Sequence, residues 1–106
     1  MSTKKEFVDH MMEQLAELGD IYCRSMMGEY IVYYGGKIAA YICDNRLLVK
    51  PVESAKALMA DPIYEPPYAG AKDMLLVEDV DDKDFLLKLF RAMYDELPAP
   101  KPKKKK

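Results

Sequence analysis

The sequence predicts an α+β domain, an antiparallel β-sheet with helices packed on one face. Three observations carry that prediction. Apolar residues recur at helical spacing near both ends, at Phe7, Val8, Met11, Met12, Leu15 and Leu18 and again at Phe85, Leu86, Leu89, Phe90 and Met93. Between them lies a stretch rich in Ile, Val and Tyr, broken by the turn pairs Gly35-Gly36 and Asp44-Asn45. A short apolar run, Met74 to Val77, precedes the second helical stripe. The resulting order is α-β(4)-α-β-α.

Thr3-Lys4-Lys5-Glu6 has the spacing of a capping box, a hydroxyl at the cap and a carboxylate three residues later. It opens a helix over residues 4–18, which Gly19 ends from the position just past the last turn. Ile21 to Met27 is a first strand, ending at Gly28. Glu29 to Tyr34 and Lys37 to Cys43 flank Gly35-Gly36, where paired glycines supply the positive φ angles of a tight hairpin. Asp44-Asn45 makes a second tight turn into Arg46 to Lys50, because Asp and Asn tolerate left-handed conformations.

Regular pairing from both turns sets a register. It places Ile31, Tyr33, Ile38, Ala40, Ile42, Leu47 and Val49 on one aliphatic core face. Tyr30, Val32, Tyr34, Lys37, Ala39, Tyr41, Cys43, Arg46, Leu48 and Lys50 fall on the other. After Pro51 comes a short helix over residues 52–60, then a rigid proline-containing stretch from Asp61 to Gly70. Met74 to Val77 is the last strand. Asp81 or Asp82 caps a final helix that closes at Leu97 and Pro98. Residues 1–97 thus form one domain, and residues 98–106 a Pro- and Lys-rich tail.

Composition narrows the function classes. A chain of 106 residues, half of them hydrophobic, fits one domain with one modest core. It holds no apolar run near the length of a membrane span, so no membrane insertion is expected. The first residues lack the apolar stretch of a secretory signal, and the two cysteines lack CxxC spacing; both suit a cytoplasmic, reducing compartment. The formal net charge is −2, but Lys101, Lys103, Lys104, Lys105 and Lys106 crowd the tail. Without them 11 of the 16 basic residues remain against 18 acidic ones, a charge of −7 on the body. Such a body repels phosphate backbones, so nucleic-acid contact is expected only through the tail lysines.

Catalytic signals are sparse. His10 is the one histidine and sits on the first helix beside Asp9 and Glu13. A metal or acid–base role would need converging partners, and a surface histidine is the plainer reading. Cys23 and Cys43 lack a nearby base and read as core packing. Asp79-Val80-Asp81-Asp82-Lys83-Asp84 lacks the central glycine and bidentate Glu of a calcium loop and reads as helix capping. Gly35-Gly36 lacks phosphate-loop context. No enzyme, metal or cofactor is therefore expected. Arg24 and the tyrosines Tyr30, Tyr34 and Tyr41 are the candidate interaction residues. Arg24 either pairs with an acidic residue such as Glu29 or Asp44 or recognises an acidic ligand. The tyrosine face is either a docking surface for a protein partner or a second copy, or it is covered by the final helix or the Pro66-Pro67 loop.

Arg24-Ser25-Met26-Met27-Gly28-Glu29-Tyr30, the Gly36-Lys37 turn, Leu48-Val49-Lys50-Pro51, Pro66-Pro67-Tyr68-Ala69-Gly70-Ala71-Lys72 and Glu96-Leu97-Pro98-Ala99-Pro100-Lys101 together resemble the TfoX N-terminal domain family. The order and spacing of these segments carry the resemblance, and they cover nearly the whole chain. The resemblance implies an α+β fold related to secretion-chaperone-like folds and a role like that of the N-terminal domain of bacterial competence regulators. Those regulators add a second, C-terminal domain, so a standalone form is expected here. The family brings no agreed catalytic residues. The expected function is a non-enzymatic regulatory or protein-interaction module. The alternatives are an accessory DNA-binding protein acting through its basic tail, or a small-ligand-binding domain.

Overall fold

The computed structural model describes residues 3–26, 29–59, 61–67 and 69–97. The first helix, α1, spans Lys5–Leu15 and runs into a 3-10 turn at Ala16–Leu18. Gly19 ends it with φ of 89°, as its place in the sequence requires. The expected capping box does not form. Lys4 occupies the cap without a side-chain bond. Thr3 is buried instead, its hydroxyl donating to the Ile42 carbonyl at 3.3 Å, and the Lys4 N–H donates to Asn45 Oδ1 at 2.9 Å. Bonds to the sheet thus replace the local cap.

Strands β1 (Ile21–Met26), β2 (Glu29–Tyr34), β3 (Lys37–Cys43) and β4 (Arg46–Val49) follow. Helix α2 covers Glu53–Leu58, β5 is Tyr64–Glu65 and β6 is Met74–Val77. Helix α3 covers Lys83–Met93 and tightens into a 3-10 turn at Tyr94–Glu96. The strands form one antiparallel sheet in the order β1-β2-β3-β4-β6-β5. The order α-β(4)-α-β-α therefore gains a strand. The segment between Pro62 and Pro66 was expected to be only a rigid connection, yet Tyr64 and Glu65 pair with Leu75 and Met74 at the sheet edge.

Both hairpin turns are as expected. Gly35 and Gly36 have φ of 61° and 82°, and Asp44 and Asn45 have 52° and 58°, so both turns have the paired positive angles that suit strand twist. The face assignment of β2 is a correction. Pairing starts as Tyr34 with Lys37 and Tyr33 with Ile38, but the register then shifts, and Val32 meets Ala40 while Tyr30 meets Ile42. Ala39 is the extra residue of a β-bulge. One inserted residue reverses which side of β2 shares a face with the rest of β3. Ala40, Ile42, Leu47 and Val49 do face the core; Ile31, Tyr33 and Ile38 do not.

The core lies between the sheet and a single helix layer. Val8, Met11 and Leu15 of α1, Ala55 of α2 and Leu86, Leu89, Phe90 and Met93 of α3 pack on Val32, Ala40, Ile42, Leu47, Val49, Leu75 and Val77. Asp82 caps α3 by accepting from the Phe85 N–H at 3.1 Å. Helix α2 has no cap of its own, and Glu96 supplies one from across the fold, accepting from the Ser54 N–H at 2.9 Å and from the Ser54 hydroxyl. These bonds hold the Glu96 carboxyl below its ordinary value.

Candidate interaction face

The helices cover one side of the sheet, so the other side decides what the protein can touch. Strand alternation and the observed pairing put Tyr22, Arg24 and Met26 of β1, Ile31 and Tyr33 of β2, Ile38, Tyr41 and Cys43 of β3, and Leu48 and Leu76 on that outer side. Tyr22 and Tyr33 are cross-strand partners whose rings stack at 5.0 Å, nearly parallel. Tyr22 and Met26 remain 45% and 44% exposed, while Leu48 on β4 is fully buried. The centre of the outer side is therefore buried, and its β1 end presents aromatic and thioether surface.

The candidate residues separate. Tyr30 and Tyr34 lie on the helix side, where both pack on the core. The Tyr34 ring sits edge-on to Tyr94 at 5.0 Å and tilted against Phe90 at 6.4 Å. Lys37 locks the same corner, its Nζ 4.2 Å from the Tyr94 ring centroid and donating to the Tyr94 carbonyl at 3.0 Å. Cover by the final helix thus accounts for Tyr34. Tyr41 does lie on the outer side, beside a half-open cleft of about 230 Å³ lined also by Lys50, Pro67, Lys72 and Met74. Arg24 is exposed opposite Ile31, and no described residue forms an ion pair with it. Asp44, one of its expected partners, pairs with Arg46, which also binds Glu65. Sequence reasoning missed Tyr22, Met26 and Tyr33. The alternation of Tyr22, Arg24 and Met26 with Ile21, Cys23 and Ser25 was the available signal.

The other chemical candidates fall elsewhere. Cys23 faces the helices and Cys43 the outer side, so the sheet separates the two thiols. Burial, with Glu29 alongside, pushes the Cys43 thiol up to about 12. His10 Nε2 meets Asp81 Oδ1 at 2.7 Å on an exposed surface, tying α1 to the acidic turn before α3. Gln14 donates to the Val80 carbonyl and Lys83 pairs with Glu17 at the same junction. Among the described residues no group of three or more His, Cys, Asp or Glu side chains could hold a metal ion. No helix is long and apolar enough to cross a membrane among the described residues. Lys101 and Lys103 to Lys106 lie outside the described residues.

Together these observations define a two-layer α+β domain: helices on one side of a six-stranded antiparallel sheet, an open tyrosine-bearing end on the other. The chain matches the TfoX N-terminal domain over residues 13–97 and belongs to that family. It is also similar, at 33% identity over 107 aligned positions, to the uncharacterized 12.7 kDa protein in the trpE 5' region of Spirochaeta aurantia. That match covers 100% of this chain and 93% of the relative. No solved structure matches the chain.

Proposed function

We propose that this chain is a non-enzymatic, cytoplasmic regulatory module that acts by holding a protein partner on the outer side of β1 and β2. One observation carries the reading. The stacked Tyr22–Tyr33 pair, Met26 and Arg24, with which no described residue forms an ion pair, lie together on the side of the sheet opposite the described helices. Tyr, Met and Arg are the side chains that interfaces favour, and an arginine amid apolar surface suits a segment with apolar side chains and a carboxylate. The absence of catalysis is supported by the chemistry present. The Cys43 thiol is buried and pushed up to about 12, which disfavours a thiolate nucleophile at neutral pH, and the thiols and His10 are not brought together in a nucleophile–base pair among the described residues.

Affinity capture from the native host compares the wild type with a Tyr22→Ala/Tyr33→Ala double variant, with partners identified by mass spectrometry. The double variant, which sits outside the core, should remain folded and lose the partner. A partner retained in full by the folded double variant would count against this face. In parallel, a broad screen for hydrolase, transferase and redox turnover should find none that a single substitution abolishes.

A further inference from the structure

The two edges of the sheet are unlike. At one edge β5 is two residues long and lies between Pro62 and Pro66-Pro67, features that block pairing with another chain. At the other edge β1 is six residues long and contains neither proline nor lysine. Its backbone groups divide by parity. The Gly35 N–H donates to the Asp20 carbonyl at 2.8 Å, so Tyr22, Arg24 and Met26 turn their backbone groups toward β2. Ile21, Cys23 and Ser25 turn theirs to the open edge. Of these, the Ile21 N–H is taken by the Gly19 carbonyl at 3.0 Å. Helix α1 does not seal the edge: Cys23 is half-buried and Ser25 is exposed.

From this arrangement we infer that β1 pairs with β1 of a second copy, antiparallel about a two-fold axis at Cys23, making one sheet continuous through two protomers. The inference rests on the reading that the surface carrying Tyr22 and Arg24 is an interaction surface, and it names the partner at its edge. Self-complementarity chooses the second copy. In the register centred on Cys23, the two Cys23 residues exchange backbone bonds, and each Ser25 N–H meets the Ile21 carbonyl of the second copy. On the outer side each Tyr22 lies directly opposite the second copy's Arg24, so each Arg24 guanidinium gains an aromatic face. The neighbouring registers of the same parity fail. One sets Arg24 against Arg24, a like-charge pair, and the other leaves Ser25 outside the ladder. The contact is isologous and closes on itself, so it ends at a dimer.

The register makes its own reporter. Directly opposed, hydrogen-bonded residues of an antiparallel pair have Cα atoms about 5.5 Å apart, within reach of a disulfide. Diamide, a two-electron oxidant, would take the two thiol hydrogens as it is reduced to the hydrazine and leave a Cys23–Cys23 bond. Sedimentation of the full chain at tens of micromolar should show a dimer. Diamide should convert it to a covalent dimer linked at Cys23 by peptide mapping, and a Cys23→Ser variant should form none. A Ser25→Pro variant removes an edge N–H without touching the β1–β2 bonds, and should be folded by circular dichroism and monomeric. A monomeric wild type, or a dimer that survives Ser25→Pro in the folded state, would overturn the inference. If Ser25→Pro fails to fold, the cross-link decides: a wild-type dimer without the Cys23 link sinks the proposed register. Failure here is distinct from failure of the functional reading. A monomer that still loses its host partner on Tyr22→Ala/Tyr33→Ala refutes only the dimer. A Cys23-linked dimer whose host partners ignore that double variant refutes only the reading.

Discussion

A Cβ added at Gly35 would lie 2.5 Å from the Tyr94 ring, and the backbone there has φ of 61°. The residue is held both by the turn and by the close approach of α3's last turn. Gly35→Ala should therefore cost about 2–3 kcal/mol in denaturant unfolding, from the left-handed backbone and the displaced ring together. In a Tyr94→Ala background the same change should cost less, and equal costs in both backgrounds would remove the ring from the account. Cys43 carries a pH prediction. Its thiol ordinarily ionises near 9.0, and burial, followed by Glu29, pushes it up to about 12 in the fold. Below the ordinary value the thiol is protonated in both the folded and unfolded chain, and its contribution to stability is fully present. As pH rises beyond that value the unfolded chain ionises first, and the contribution is lost until the folded thiol ionises near 12. Stability measured from pH 8 to 11 should fall more steeply for the wild type than for Cys43→Ala. Parallel curves would show that the thiol is not the cause.

Neighbouring tyrosines of one strand have opposite fates because of one bulge. Tyr34 packs on Phe90 and Tyr94 beneath α3, whereas Tyr33 stacks on Tyr22 on the outer side. Tyr34→Ala should cost about 3 kcal/mol, and Tyr33→Ala about 1 kcal/mol, the worth of a surface ring pair. Similar losses for the two would contradict the face assignment. The strands themselves were legible in the sequence because Gly35-Gly36 and Asp44-Asn45 admit so few backbone conformations. The cap at Asp82 was legible for the same local reason. The bulge was not. Ala39 and Ala40 are two small residues in a row, both fully buried, and nothing in their side chains marks which one is extra. Counting alternate residues from Gly35-Gly36 therefore put Tyr30 and Tyr34 on the wrong side, while the count from Asp44-Asn45 met no bulge and held. Strand β5 escaped for a different reason: two residues between prolines carry no periodicity, and only pairing with β6 makes them a strand. The capping box at Thr3 was a local pattern overruled by distant bonds to Ile42 and Asn45.

Across the whole molecule, the helix layer and the edges of the sheet carry an excess of carboxylates, and they are disposed for structure. Asp82 caps α3, Glu96 caps α2, Asp81 holds His10, and Glu17 holds Lys83. The Lys83 contact is mutual: hydrogen bonding to Glu17 raises the amine's ionisation while lowering the carboxyl's. Paired in this way, several of the body's 11 basic residues are already engaged by its own acids, and the body as a whole stands at −7. A phosphate backbone approaching such a surface meets net repulsion, which opposes the counterion-driven attraction that supplies most non-specific affinity. The tail reverses the balance locally, with five lysines in six positions. The chain truncated after Leu97 should accordingly produce no DNA mobility shift at near-physiological salt, and the full chain should owe any shift it gives to residues 98–106. Salt-sensitive binding by the truncated chain at micromolar concentration would mean that a cationic surface exists on the body, and Arg24 on the outer side would be the first residue to replace. Binding by the full chain alone, weakening steeply as salt rises, would instead place the contact in the lysine tail and leave the tyrosine-bearing side free for protein.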